Sequence, residues 1–189
     1  MELQTSLPAY MGFSLQNANR LNISEEQTRE LAALKSVIMP LAHPLKDGVI
    51  SSELKMLDLY QSKGDINEIE ELINKASEFR IGFAEVKTDC RQKVKQLLTA
   101  EQWENIIKVF TEEMAYEPNN SIENISAIYN NDSQNASFGT EELQTEVTNY
   151  EKLIQEMSLR NEPYDSIIAK VKELEVKRKA MYSKILMNY

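Results

Sequence analysis

The chain is poor in cysteine, histidine, glycine and proline, and each shortage excludes a class of protein. Its 189 residues include one cysteine, one histidine, five glycines and five prolines. The single cysteine, Cys90, excludes an internal disulfide. The few glycines and prolines leave few turns, which favours a small number of long helices over many short strands. No apolar run approaches the roughly 18 residues that a membrane-spanning helix needs, so the sequence predicts no membrane span.

Basic charge is also in short supply. Lys and Arg number 21 against 30 Asp and Glu, which gives a formal net charge of −9. An acidic surface repels the phosphates of nucleic acids and of anionic lipids, so the sequence predicts neither as a partner. The first six residues have neither the basic nor the apolar segment of a secretion signal. This is consistent with a cytosolic protein, or with a mature chain to which an initiating Met has been added.

The rest of the composition is typical of a helical protein with a substantial core. Hydrophobic residues make up 42% of the chain, and they recur at spacings of three and four, as on one face of a helix. The sequence therefore predicts an all-α fold with four parts: an N-terminal arm (1–20), a helical domain (21–117), an Asn- and Ser-rich linker or loop (118–139) and an antiparallel helical hairpin (140–189).

Two prolines are expected to interrupt the first long helical segment. A helix is predicted to begin at Ser24, and Pro40 and Pro44 should kink or split it, because each proline removes one backbone donor and clashes with the preceding turn. A second helix should then cover residues 45–61.

The third helix should be the longest. Asp65 is placed to cap it, and its apolar stripe continues for over thirty residues, about 50 Å of helix. Thr99 begins a fourth helix. In the C-terminal hairpin, apolar residues at heptad spacing lie on both sides of a turn at 159–162, and Pro163 stands at the first helical position of the returning helix.

Two segments carry the same helix-start pattern. Each has an apolar residue, a hydroxyl residue, two spacers and a glutamine, which together form a capping box. The hydroxyl accepts from the backbone N–H three residues on, and the glutamine accepts from the N–H of the cap itself. The residues are Ile23, Ser24 and Gln27 in the first segment and Leu98, Thr99 and Gln102 in the second.

This pair of motifs resembles the Spy/CpxP family of LTxxQ proteins, to which the metal-responsive ZraP and CnrX proteins are more distantly related. Leu98 to Gln102 has the family pattern in every type, and the first motif has Ile-Ser in place of Leu-Thr. The resemblance covers residues 15–115. It implies a cradle-shaped antiparallel dimer in a Gram-negative periplasm. Such a protein binds unfolded or partly folded clients without ATP, or damps an envelope-stress sensor.

These expectations leave three functional hypotheses. The first is an ATP-independent chaperone-like protein that acts in envelope stress. The second is a dedicated regulatory partner of an envelope sensor or efflux system, and the third is a metal sensor. For the first, we expect the client surface on the long-helix stripe and near the two prolines, at Leu41, Leu45, Ile69, Phe79 and Phe83.

The sequence predicts no catalytic, cofactor or metal site. There is no glycine-rich phosphate loop and no Ser-His-Asp set. His43 is interpreted as a helix-end residue, because a zinc, nickel or cobalt site would need several imidazoles or carboxylates in a set. Cys90 falls on the apolar stripe and is interpreted as a buried core residue, with an intermolecular disulfide or redox sensing as the alternative.

Overall fold

The computed structural model describes residues 7–112 and 139–187, and both ranges are all-helical. The predicted all-α fold is therefore confirmed. Within these ranges the chain forms six helices: α1 (Tyr10–Gln16), α2 (Glu25–Gln61), α3 (Ile66–Leu97), α4 (Ala100–Glu112), α5 (Glu141–Leu159) and α6 (Tyr164–Leu186).

α2 and α3 form the long central hairpin. The chain turns between them at residues 62–65, where the N–H of Gly64 donates to the carbonyl of Leu59 at 2.8 Å. Asp65 then caps α3, as predicted, by accepting from the N–H of Asn67 at 2.9 Å. α2 and α3 pack against each other along the hairpin, where Met56 of α2 joins a buried apolar cluster with Leu72 of α3.

The predicted interruption of α2 is wrong in one respect. Pro40 and Pro44 lie inside one continuous 37-residue helix, so no second helix begins at residue 45. Both prolines are exposed. Ile38, just before Pro40, and Ala42, between the two prolines, are buried. Packing of the opposite face therefore holds the helix together where proline alone would weaken it. His43 is likewise an exposed residue within the helix and not a helix-end residue.

The predicted N-terminal arm contains a helix that packs into the core. In α1, the Tyr10 ring lies 5.1 Å from the Trp103 ring and 5.2 Å from the Phe110 ring, measured between centroids. These side chains join a cluster with Leu31 of α2 and Val94 of α3. The interpretation of residues 10–16 as an extended arm is therefore wrong.

The C-terminal hairpin is present, and it packs against the central one. α5 and α6 face each other through apolar side chains that include Val147, Ile154, Ile167 and Leu174. Pro163 precedes the first residue of α6 as its N-cap, one position earlier than predicted.

The two hairpins also share apolar clusters, so α6 lies directly against α3. Ile69 and Ile73 of α3 pack with Met181 and Ile185 of α6. Most of the predicted Asn- and Ser-rich linker lies outside the described residues.

Candidate functional site

The first capping box forms as predicted at the start of α2. The N–H of Ser24 donates to Gln27 Oε1 at 3.0 Å, and the N–H of Gln27 donates to Ser24 Oγ at 3.1 Å. Ile23, which precedes the cap, is buried in the apolar cluster formed by α1 to α4. This box satisfies two backbone groups that the first turn of a helix leaves without partners.

The second capping box forms in the same way at the start of α4. The N–H of Thr99 donates to Gln102 Oε1 at 2.9 Å, and the N–H of Gln102 donates to Thr99 Oγ1 at 3.2 Å. Leu98 and Trp103 are buried in the same cluster as Ile23. Both predicted capping boxes are therefore confirmed.

The two boxes also contact each other, which the sequence did not indicate. Gln27 Nε2 donates to Gln102 Oε1 at 2.9 Å, and Gln102 Nε2 donates to Gln27 Oε1 at 3.0 Å. Each amide also donates across the junction to a backbone carbonyl, Gln27 to Leu97 at 2.9 Å and Gln102 to Asn22 at 2.7 Å. The starts of α2 and α4 are thus fixed side by side by a reciprocal set of bonds. One glutamine in each motif both caps its own helix and binds the other motif.

The outer face of α2 carries exposed apolar side chains. Val37 is 61% exposed and Leu41 is 55% exposed. Ala33, Pro40 and Pro44 are exposed on the same face, because positions three, four, seven and eleven residues apart align along a helix. We call these five residues the α2 outer stripe. Leu41 and the region of the two prolines were predicted as client surface, whereas Ala33 and Val37 were not. The spacing of Val37 and Leu41 by four, beside two prolines, was the signal that could have revealed the rest.

The remaining predicted client-surface residues serve mainly in packing. Ile69 is 2% exposed inside the cluster shared with α6, so its assignment to a surface is wrong. Phe79 and Leu45 are half-buried where α2 and α3 approach closely. A Cβ added at Gly48 would lie 2.7 Å from the Phe79 ring, and one added at Gly82 would lie 3.1 Å from the Leu45 side chain.

Phe83 is also half-buried, and the ammonium of Lys87 lies 5.7 Å from the centre of its ring. Of the five predicted client-surface residues, Leu41 is therefore the one that the structure leaves exposed.

A buried ladder of five charged side chains connects four helices. Arg80 of α3 pairs with Glu53 of α2 and, at 3.2 Å, with Glu175 of α6. Arg178 of α6 pairs with Glu175 and with Glu151 of α5. All five side chains are at most 10% exposed. The ladder therefore ties the C-terminal hairpin to the central one through charge as well as through apolar contacts.

The electrostatics of the ladder favour its charged form. Burial alone would raise the pKa of Glu175, but Arg178 and Arg80 outweigh it and hold that pKa below its usual range. Burial alone would lower the pKa of Arg178, but Glu175 and Glu151 raise it instead. Since each buried charge has an opposite neighbour, the desolvation cost is offset by pairing.

Another buried cation, Arg91, ties α3 to the end of α5. Arg91 donates to the carbonyl of Ser158 at 3.1 Å and to the carbonyl of Glu162 at 2.7 Å. The partial negative charge at a helix C-terminus stabilises a cation there. The hydroxyl of Tyr10 bonds with that of Ser158 at 3.0 Å, and burial raises the pKa of Tyr10 to about 12.

Cys90 is a buried core residue, as predicted. It lies 3.9 Å from the Met11 sulfur, and burial raises the pKa of its thiol to about 11. Nearby, burial lowers the pKa of Lys87 to about 8, and its ammonium donates to the carbonyl of Leu7. Met11 and Cys90 belong to the apolar cluster formed by α1 to α4.

Residues 7–112 and 139–187 contain no group of three or more His, Cys, Asp or Glu side chains that could hold a metal ion. In the same ranges, no helix combines the length and the apolar character needed to span a bilayer. Comparison of the chain with protein-family models, with curated proteins and with solved structures finds no match.

Proposed function

We propose that the protein is a binding protein of chaperone type, which holds apolar segments of partly folded proteins against the α2 outer stripe without ATP. The observation that carries this proposal is the exposure of Val37 and Leu41, at 61% and 55%, on one face of a long helix. Burial of apolar surface stabilises a complex by about 25 cal/mol per Å². A stripe of this size supports weak and reversible binding.

The resemblance to Spy/CpxP proteins supports the same role, and it rests on the two motifs. In this chain the motif glutamines fix the start of α2 beside that of α4. α2 then continues from that junction to Gln61, with the stripe on its outer side. The motif therefore has a physical role: it orients the helix that presents the apolar residues. On this resemblance we also propose that the protein acts in the periplasm.

The test is suppression of aggregation by the purified protein without nucleotide or metal. A chemically unfolded model client should aggregate more slowly at near-stoichiometric ratios. The double variant Val37→Ser with Leu41→Ser should lose most of this effect. Leu54 and Val176 are exposed to a similar extent, 53% and 65%, but lie outside the stripe. Leu54→Ser with Val176→Ser is therefore the matched control and should retain the effect.

Two results would contradict this function. If the wild type does not slow aggregation even in tenfold excess, a general chaperone role is excluded, and a dedicated regulatory partner becomes the better hypothesis. If both double variants lose activity equally, the α2 outer stripe is not the binding surface.

A further inference from the structure

The charges at the two ends of the α2 outer stripe indicate what kind of segment it binds. Glu30 lies three residues before Ala33, and Asp47 lies three residues after Pro44, so both are on the same face as the stripe. Both carboxylates are exposed. The stripe is thus an apolar surface with a negative charge at each end. Glu26, one turn before Glu30, adds another exposed carboxylate. The two negative charges at this end exceed the single positive charge of the neighbouring Arg29.

The two prolines add to this negative character. Neither Pro40 nor Pro44 has an N–H group, so the carbonyls of Ser36 and Pro40 lose the donor that an uninterrupted helix would supply. These carbonyl oxygens lie near the middle of the stripe. Their partial negative charge adds to that of the carboxylates at the two ends and disfavours an acidic partner segment.

A second copy of this chain fits the stripe poorly. If two α2 helices packed antiparallel about the middle of the stripe, Glu30 of one copy would face Asp47 of the other at both ends. A parallel pair would set each carboxylate beside its own counterpart. Like charges so placed are destabilising.

We propose, building on the proposed function above, that the α2 outer stripe binds an amphipathic helix with basic residues at both ends. Glu30 and Asp47 are 17 positions apart, about 25 Å along a helix, so the partner segment is roughly 17 to 20 residues long. Its apolar residues repeat at spacings of three and four and cover Val37 and Leu41. Lysine or arginine residues near its ends pair with Glu30 and Asp47.

The test compares two labelled 20-residue peptides by fluorescence anisotropy with the full chain. Both have the same apolar face, one with lysines at both ends and the other with glutamates. The wild type should bind the basic-ended peptide about fivefold more tightly, since exposed ion pairs each contribute modestly. This preference should diminish in 1 M salt, because screening shortens the reach of exposed charges.

The charge-reversal variant Glu30→Lys with Asp47→Lys should instead prefer the acidic-ended peptide. The matched control is Glu70→Lys with Glu78→Lys, at two exposed positions of α3, and it should keep the wild-type preference. Val37→Ser with Leu41→Ser should weaken the binding of both peptides. Thermal melting of each variant checks that it is folded.

The outcomes separate this inference from the proposed function. Equal binding of both peptides, unaffected by charge reversal but weakened by the serine variants, would overturn the basic-ended partner and leave the apolar surface intact. No effect of the serine variants would overturn the proposed function itself. Sedimentation provides a further check, because a dimer that the serine variants dissociate would assign the stripe to a second copy and overturn the inference.

Discussion

Gln27 and Gln102 are 75 residues apart in the chain, and each side-chain amide donates a hydrogen bond to the other. Each glutamine also accepts a bond from the capping residue of its own helix, from Ser24 or from Thr99. The cap of α2 and the cap of α4 are therefore parts of one hydrogen-bonded unit. Loss of either glutamine disturbs both helix starts.

This linkage predicts that Gln27→Ala and Gln102→Ala are not additive. Each single variant removes a cap and both reciprocal bonds between the two amides, at a cost of about 1 to 2 kcal/mol. Because the double variant loses the reciprocal bonds only once, its cost should be smaller than the sum of the two single costs by about 1 kcal/mol. Chemical denaturation of the four proteins measures this coupling.

The controls for this cycle lie on the exposed face of α3. Gln92→Ala and Gln96→Ala remove exposed glutamines and should change the free energy of unfolding by no more than about 0.5 kcal/mol. Strict additivity of the two motif variants would show that the reciprocal bonds contribute nothing to stability.

A pair of glycine substitutions tests the close approach of α2 and α3. An alanine Cβ at Gly48 would lie 2.7 Å from the Phe79 ring, whereas at Gly12 it would meet no atom within 4 Å. Gly12→Ala should stabilise the protein by up to about 1 kcal/mol through helix propensity. Gly48→Ala should destabilise it, because displacement of the ring costs about 1 to 3 kcal/mol and exceeds that gain. Thermal melting of the two variants measures both effects. Equal stabilisation by the two substitutions would refute the close contact between Gly48 and Phe79.

The local signals in the sequence predicted local structure well. A hydroxyl residue followed three positions later by glutamine is a short-range pattern, and Ser24 and Thr99 both begin helices as expected. The heptad seam around Pro163 likewise predicted the C-terminal hairpin, because both seams and the turn are contiguous in the chain.

The errors arose where distant contacts override local preference. The continuity of α2 through Pro40 and Pro44 depends on packing of Ile38 and Ala42, which a single-helix pattern does not reveal. The ladder from Glu53 to Glu151 joins charged side chains from four helices. In the sequence alone, each of these residues is indistinguishable from an ordinary charged surface residue. The pairing of Gln27 with Gln102 likewise could not be predicted, because only the folded chain brings these two residues together.

Cys90 should be unreactive in the native protein. Because burial raises the pKa of its thiol to about 11, the reactive thiolate is scarce at pH 8. Iodoacetamide should therefore modify the native protein at least tenfold more slowly than the protein in denaturant, where the thiol has its ordinary pKa. The buried thiol stabilises the fold at pH values below the thiol pKa of the unfolded chain, and this stabilisation is lost as pH rises through about 11. Rapid native labelling at pH 8 would contradict the buried environment.

The buried ladder predicts a large and pH-dependent effect of removing Arg178. Arg178→Met leaves the Glu151 and Glu175 carboxylates buried without their shared cation, which should cost about 3 to 5 kcal/mol at pH 7. The lowered pKa of Glu175 means that its charged form stabilises the fold above the usual glutamate range, and that this contribution is lost as pH falls through the lowered value. In the variant, Arg178 no longer counteracts the effect of burial, so the pKa of Glu175 rises. Protonation of Glu175 at lower pH then removes its buried negative charge. The stability difference from wild type should therefore shrink as pH falls from 7 towards 4.

Arg160 provides the matched control for this prediction. It pairs with Glu156 at 2.6 Å on the surface, where the two side chains are 65% and 55% exposed. Arg160→Met removes the same charge but leaves a solvated carboxylate, so it should cost no more than about 1 kcal/mol, with little change between pH 7 and pH 4. Urea denaturation across this pH range measures both variants. If the two lose stability equally at pH 7, or if the deficit of Arg178→Met grows on acidification, the charged ladder is not what ties the C-terminal hairpin to the central one.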